Sequence, residues 1–295
     1  QLLDTCELDG VVVASPHTLH FEHASAALKR GLHVMCEKPL TTQADQAREL
    51  VRLAEINGVH LIVPYGWHYK SFVQQAKHFM DAGAIGRVEY VLCHMASPIR
   101  SLLSGEQINV DEVSGQSEPS LFQPDASTWA DPQIAGGGYG HAQISHAAGL
   151  MFWLTGLQAQ SVHAFMSGPG AEVELYDAAS VRFASGAIGT VSGAGNVPTD
   201  QGFQVDVRVF GSEGMLLLDC ERARLEVRRH DGQHQVVDVD PGAGAYTCDG
   251  PPNNFVDLVR GVTPDNWAPG TAAMRSVELL DAAYRSARSG QSEMV

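Results

Sequence analysis

The stretch from Asp9 to Leu40, DGVVVASPHTLHFEHASAALKRGLHVMCEKPL, constrains the fold more than any other part of this chain. Val11, Val12 and Val13 form a short β-branched run, as a strand buried on both faces requires. Pro16 stops that run; Ala24, Ala27 and Leu28 then recur at helical spacing, and Gly31 stands where a helix-ending glycine belongs. Leu32 to Cys36 reads as a second strand that runs into Glu37-Lys38-Pro39. Thr42 to Asp45 resembles a capping box, followed by Ala47, Leu50, Val51 and Ala54 on one helical face, Gly58 at the exit and a third apolar strand from His60 to Pro64. Alternating strands and helices with short connections predict a parallel βαβ arrangement with right-handed crossovers. Ligands of such sheets bind outside the carboxyl ends of the strands, which is where Ser15, Pro16, His17 and His20 fall on one side and Glu37-Lys38 on the other.

The remainder reads differently. A helix is expected over Phe72 to Ala82 and a strand over Val88 to Met95. Ser97 to Ala135 is polar, interrupted by prolines 98, 119, 124 and 132, without a sustained period, and a stretch that long without structure is usually either functional or disordered. Beyond Gly156 seven short strands are expected, at 161–166, 178–183, 187–193, 205–210, 214–218, 224–229 and 235–239, with Ser185-Gly186 and Asp231-Gly232 as turns between them. An antiparallel sheet covered by helices on one face fits. The expected class is α/β: a partial Rossmann-type parallel-sheet domain over residues 1–66, then an α+β domain over 67–295 with a large, open, mostly antiparallel sheet.

These motifs together resemble the glucose–fructose oxidoreductase / inositol dehydrogenase family. Members carry an alanine-threonine-proline turn followed by a histidine, here Ala14-Ser15-Pro16 with His20, and then glutamate-lysine-proline, here Glu37-Lys38-Pro39. Gly136-Gly137-Gly138 before a helix containing His146 and ending at Trp153 to Gly156 matches a second family landmark. Gly211 to Gly214, Asn254 to Asp257 and Val277 to Tyr284 extend the resemblance close to the C-terminus.

The resemblance implies NAD or NADP as cofactor, a sugar, cyclitol or related polyol as substrate, a lid over the substrate pocket formed by the segment from Ser97 to Ala135, and a homo-oligomer formed through the open sheet face. It also implies a family opening of strand, glycine-rich turn, helix and strand, which this sequence lacks: no G-x-G-x-x-G is present, and Gly168-Pro169-Gly170, Gly193-Ala194-Gly195 and Gly242-Ala243-Gly244 are only approaches to it. The expectation is an upstream segment of roughly two βα units, on the order of 60 residues. The rival account is a chain that has lost dinucleotide binding, against which Lys38 and His146 stand. The final helix is expected to pack back on the first domain.

Nicotinamide-dependent alcohol oxidation needs a base for the hydroxyl proton while hydride leaves the same carbon. Lys38 is the first candidate, because a desolvated lysine exchanges protons nearer neutrality; its ordinary reading is a surface lysine paired with Glu37. His146 is the second, the ordinary reading being a hydrogen-bonded structural histidine. Ser15, Pro16, His17, His20, Glu37, Lys38 and Pro39 are expected to border the cofactor, and Trp67, His68, Trp129 and Gln143 the substrate.

Two departures from the family pattern matter. Members carry an aspartate four residues before the histidine, whereas this chain has Ala142 there, leaving Gln143 as a possible hydrogen-bond partner of His146. An asparagine-arginine-arginine run is replaced by Gly66-Trp67-His68-Tyr69-Lys70, whose aromatics suit either a sugar ring or the domain junction. The spacing of His17, His20 and His23 invites a metal, but no third-ligand pattern such as H-E-x-x-H accompanies it, so no metal is expected. A glycosidase of the same family and a non-catalytic sugar or dinucleotide sensor are the competing functions.

Composition narrows the partners. A formal charge of −15 over 295 residues argues against nucleic acid and anionic membranes. Arg222, Arg224, Arg228 and Arg229 read as the solvated face of a strand. Cys6, Cys36, Cys93, Cys220 and Cys248 are scattered without a C-x-x-C, as expected of free thiols in a reducing compartment and a cytoplasmic protein.

Overall fold

In a computed structural model that describes residues 2–106, 125 and 127–295, the three apolar runs near the start of the chain pair as a parallel sheet. It comprises β1 (Gly10–Val13), α1 (His20–Leu28), β2 (His33–Cys36), α2 (Ala44–Asn57) and β3 (Leu61–Ile62), with β2 central. Val13 lies opposite Cys36, and Glu37 N–H donates to the Val13 carbonyl at 2.8 Å. The turns that follow β1 and β2 therefore leave the sheet side by side, and this pairing positions the site.

Helix α2 buries Ala47, Leu50, Val51, Leu53 and Ala54 with Leu28, Val34 and Leu61 in one apolar cluster. It ends at Gly58, whose φ of 64° is the left-handed conformation a C-cap glycine supplies at little cost. The expected capping box does not form. Gln43 is the N-cap and makes no side-chain cap bond, and Thr41 Oγ1 bonds to the Gln43 carbonyl instead. The acceptor for the free Ala44 N–H is Asp281 of the final helix, at 3.3 Å. The third strand is also shorter than its apolar run, because Val63 N–H turns to the Ala268 carbonyl at 3.0 Å and Ile62 bridges Pro269.

Helix α3 (Ser71–Asp81) leads to β4 (Val88–Ala96), and α4 (Ser145–Thr155) precedes the run of strands β5 (Ala159–Ser167), β6 (Tyr176–Phe183), β7 (Ile188–Ala194), β8 (Gln204–Gly211), β9 (Gly214–Asp219), β10 (Arg224–Arg229) and β11 (Gln235–Val237). Helices α5 (Gly250–Val259) and α6 (Gly270–Ser289) follow, and the chain ends on β12 (Glu293–Met294). The second sheet has nine strands in the order β11-β10-β9-β8-β4-β7-β6-β5-β12. All its pairings are antiparallel except that of β4 with β7. Strand β12 was not anticipated: a two-residue strand carries too little pattern, and it exists because β5 offers an edge to it.

Alternation places Val205, Val207 and Val209 of β8 in the core beneath the helices. On β5 and β7, Phe165 and Ile188 point to the opposite face and stay 69 % and 49 % exposed. Helix α6 joins two cores, giving Ala273 and Val277 to the cluster around the parallel sheet and Leu279, Leu280 and Ala283 to that of the nine-stranded one. Arg48 of α2 closes on Glu278 of α6 at 2.6 Å.

Between Ser97 and Ala135 the described residues form single helical turns at Arg100–Leu103, Ser127–Ala130 and Pro132–Ala135; residues 107–124 and 126, about half of the expected lid, lie outside the described residues. The five cysteines are unpaired thiols, three of them buried. The basic cluster is neutralised locally, with Glu226 between Arg224 and Arg228 at 2.6 Å from each. Among the described residues no helix is long and apolar enough to cross a membrane.

Candidate functional site

The turn after β1 and the turn after β2 are tied together by His20. Its ring is fully buried, with Nδ1 2.8 Å from the Pro39 carbonyl and Nε2 2.8 Å from the Ser15 carbonyl. With one ring nitrogen against each carbonyl, and the neutral ring donating from one of them, His20 bridges the two turns expected to border the cofactor. His17 faces the other way, its Nδ1 3.0 Å from the Ala135 carbonyl and its ring edge-on to Trp129 at 5.2 Å. His23 bonds to Ser15 Oγ at 2.9 Å. The three histidines thus serve three separate contacts, and among the described residues no group of three or more His, Cys, Asp or Glu is placed to hold a metal.

Lys38 extends from the end of β2 toward the segment before α4. Its Nζ donates to the Ala142 carbonyl at 2.7 Å and stands 5.3 Å from the centre of the Trp129 ring. Burial pushes its pKa below that of an ordinary lysine, and Glu37 beside it opposes part of that shift. Glu37 is also the acceptor for the Lys38 N–H at 3.1 Å.

The acceptor of the lysine lies in an unusual element. Residues Gly140–Ile144 form a π-helical turn that continues into α4. Such a turn inserts one extra residue into the helical register, and insertions of this kind recur at functional sites. Here the turn presents the Ala142 carbonyl, rather than any side chain at that position, to Lys38. The i,i+4 spacing that singles out Ala142 assumes a regular α-helix, which this stretch is not. The expected bond between Gln143 and His146 does not form: Gln143 makes no side-chain hydrogen bond among the described residues.

His146, on the first turn of α4, is 6 % exposed, and its Nδ1 is buried without a partner. Burial first, and then the charges of Lys38 and His68, push its pKa well below the usual histidine value, so it is neutral near pH 7. Trp67, Tyr246 and Tyr65 stand edge-on around it at 5.6, 5.7 and 5.8 Å. Trp67 is pinned by Nε1–H donating to the Gly244 carbonyl at 3.2 Å, and Phe203 packs on it at 6.1 Å.

His68 lies one layer behind this wall. It stacks on Trp153 at 4.6 Å and bonds through Nδ1 to the Trp267 carbonyl at 2.8 Å, with a pKa lowered to about 4 by burial. Lys38, Trp129, His17, His146 and Trp67 are therefore brought together, while His20 and His68 sit behind them. Tyr246 and Phe203 were missed. They come from irregular segments between strands and helices, where no period marks a residue as facing a site.

The geometry brings a lysine at the end of a parallel-sheet strand beside a neutral histidine at the start of a helix, walled by aromatic rings. Residues 1–65 match the family model described as oxidoreductase family, NAD-binding Rossmann fold, and residues 73–217 match the GFO/IDH/MocA C-terminal domain. The chain belongs to this GFO/IDH/MocA oxidoreductase family.

Levoglucosan dehydrogenase of Pseudarthrobacter phenanthrenivorans is 24 % identical over 75 % of this chain and 58 % of its own. A scyllo-inositol 2-dehydrogenase (NADP(+)) of Bacillus subtilis is 30 % identical over 40 % of this chain and 33 % of its own. The chain thus spans less than two thirds of the length of each of these relatives. Among solved structures, an inositol dehydrogenase homologue complexed with NAD+ from Azotobacter vinelandii superposes with a TM-score of 0.72 at 21 % identity, over 97 % of this chain and 78 % of the other.

Proposed function

We propose that the protein is an NAD(P)-dependent oxidoreductase that moves hydride between nicotinamide and a secondary alcohol of a sugar, cyclitol or related polyol. The observation that carries this reading is Lys38, desolvated at the carboxyl end of β2 and held on the Ala142 carbonyl at 2.7 Å, with the neutral His146 close enough to feel its charge. Family membership and the substrates in its relatives' names support the same reading.

The residues present suit a nicotinamide. Two turns fixed side by side by His20 give a floor of Ser15, Pro16, His17, Glu37 and Pro39, and the partnerless Nδ1 of His146 leaves a buried polar atom in want of a ligand. Residues 1–66 are assigned to this half and 67–295 to the substrate half. When bound, the nicotinamide ring supplies the hydride acceptor or donor.

The chain's own groups do the rest. In alcohol oxidation Lys38 in its amine form takes the hydroxyl proton, and its lowered pKa makes that form accessible. His146 stays neutral and hydrogen-bonds the reacting oxygen, since a second positive charge beside Lys38 is disfavoured. Trp67 and Tyr246, packed at 4.5 Å, offer apolar ring surface to the C–H face of a sugar and exclude water.

The test is turnover. The product of the full reading frame is assayed for reduction of NAD or NADP across a panel of inositols, aldoses and anhydrosugars, beside the Lys38→Met variant. Turnover that falls by about 10²–10⁴-fold in the variant is expected. Release of sugar without net nicotinamide reduction identifies the glycosidase alternative, and dinucleotide binding without any turnover identifies a sensor; either outcome overturns the reading.

A further inference from the structure

A half-buried carboxylate that the mechanism above does not use stands directly behind the π-helical turn. Glu174 lies in the segment leading into β6, and its two oxygens accept from Gly138 N–H at 2.8 and 2.9 Å and from Gly140 N–H at 2.9 Å. The Tyr284 hydroxyl of α6 donates to it at 2.6 Å. The main chain repeats the attachment, with Tyr139 N–H donating to the Glu174 carbonyl at 2.9 Å. Tyr284 reaches the turn as well, its oxygen accepting from His141 N–H at 3.3 Å. Four consecutive backbone N–H groups, from 138 to 141, are thus fixed by Glu174 and Tyr284.

The glycine run before the turn has a physical cause in this contact. A Cβ at residue 138 would lie 2.2 Å from the Glu174 carbonyl oxygen, so only glycine lets the two strands of chain approach so closely. The carboxylate is also in a place where a charge is costly unless held. Burial raises the Glu174 pKa, against which its hydrogen bonds work. Its neighbour Asp177 is 7 % exposed with both carboxyl oxygens unpartnered, and burial together with the Glu174 charge pushes its pKa well above the usual carboxylate range. Of the two carboxyl groups, Glu174 is the one that has the donors.

We propose that Glu174 is a positioning residue for the Lys38 base: by clamping Gly138 and Gly140 it fixes the π-helical turn, and the turn fixes the Ala142 carbonyl on which Lys38 Nζ is held. The proposal rests on the assignment of Lys38 as the base, but its geometry does not. The path is Glu174 carboxylate, Gly138 and Gly140 N–H, Ala142 carbonyl, Lys38 Nζ, with every hydrogen bond between 2.7 and 2.9 Å. Charge-assisted bonds of this kind are stronger than neutral ones, and misplacing a reacting group by an ångström costs about 100-fold in rate.

The experiment uses Glu174→Gln, which keeps the shape but presents an NH₂ donor where an oxygen accepted. Two readouts are taken on the same folded protein: the rate at which trinitrobenzenesulfonate modifies Lys38, resolved by peptide mass spectrometry with the exposed Lys29 as internal reference, and the kinetic constants for polyol oxidation. The expected result is a severalfold faster modification of Lys38 with Lys29 unchanged, and a fall in kcat of about 100-fold with the dinucleotide KM near its wild-type value. Unchanged Lys38 modification and unchanged kcat overturn the proposal. If the wild-type protein turns over no polyol, the oxidoreductase reading falls, and the modification rate alone decides the positioning role. Should Glu174→Gln fail to fold, Tyr284→Phe removes the donor to Glu174 and the acceptor of His141 N–H while leaving the Glu174 bonds to Gly138 and Gly140 in place; a smaller shift of Lys38 modification in the same direction is then expected, and none contradicts the clamp.

Discussion

Lys38 carries most of the chemistry assigned to this chain, and its protonation state sets the direction of the pH response. Burial disfavours the ammonium, so the folded pKa lies below that of a free lysine. A base must be unprotonated to accept the hydroxyl proton. Oxidation should therefore rise with pH through an apparent pKa below the ordinary lysine value, and then level off. His146 gives no second limb near neutrality, because it is already neutral there. A pH–kcat profile of polyol oxidation checks this; a rate that rises only at the pKa of a solvated lysine would remove Lys38 from the role. Lys38 was legible in the sequence because Glu37-Lys38-Pro39 closes a strand in a βαβ frame. What it leans on was not: a backbone carbonyl carries no residue identity, and the aspartate expected at Ala142 is replaced by geometry rather than by another side chain.

At the level of elements, strand and helix positions followed from periodicity, and the ends did not. The start of α2 shows why. The local sequence from Thr42 to Asp45 has the residues of a capping box, yet the N–H of Ala44 is taken by Asp281, more than two hundred positions later, on α6. Tertiary contact overrode a local motif of similar strength. Removing this acceptor in Asp281→Ala should cost about 1 kcal/mol, the usual loss for an N-cap, measured as a lower midpoint in urea unfolding. An unchanged midpoint would mean that water replaces the carboxylate without penalty. The π-helical turn was hidden for a related reason: nothing in GGGYGHAQI signals the extra residue, which is imposed by Glu174 and Tyr284 from elements far along the chain.

The molecule as a whole stores several neutral histidines in its interior. Burial lowers His17 to about 3, and His68 and His141 to about 4, against a usual value of 6.5. Each binds a proton more readily unfolded than folded, so stability is full above the unfolded pKa and is lost as pH falls from about 6.5 toward 4. Each such group contributes a slope of about 1.4 kcal/mol per pH unit inside that window. The thermal midpoint is expected to be flat from neutral pH upward and to drop steeply below about 6. A midpoint that stays level down to pH 4 would show that these rings are solvated. The two-part architecture itself was legible, since parallel and antiparallel strands leave different apolar patterns. The aromatic wall of Tyr246 and Phe203 was not, because it is assembled from segments without a period.

One measurement bears most directly on the oxidoreductase reading: nicotinamide reduction by the full-reading-frame product with a polyol panel, wild type beside Lys38→Met. The account predicts turnover in the wild type and a loss of about 10²–10⁴-fold in the variant with the fold intact. Equal turnover in both proteins, or none in either while dinucleotide still binds, would contradict it.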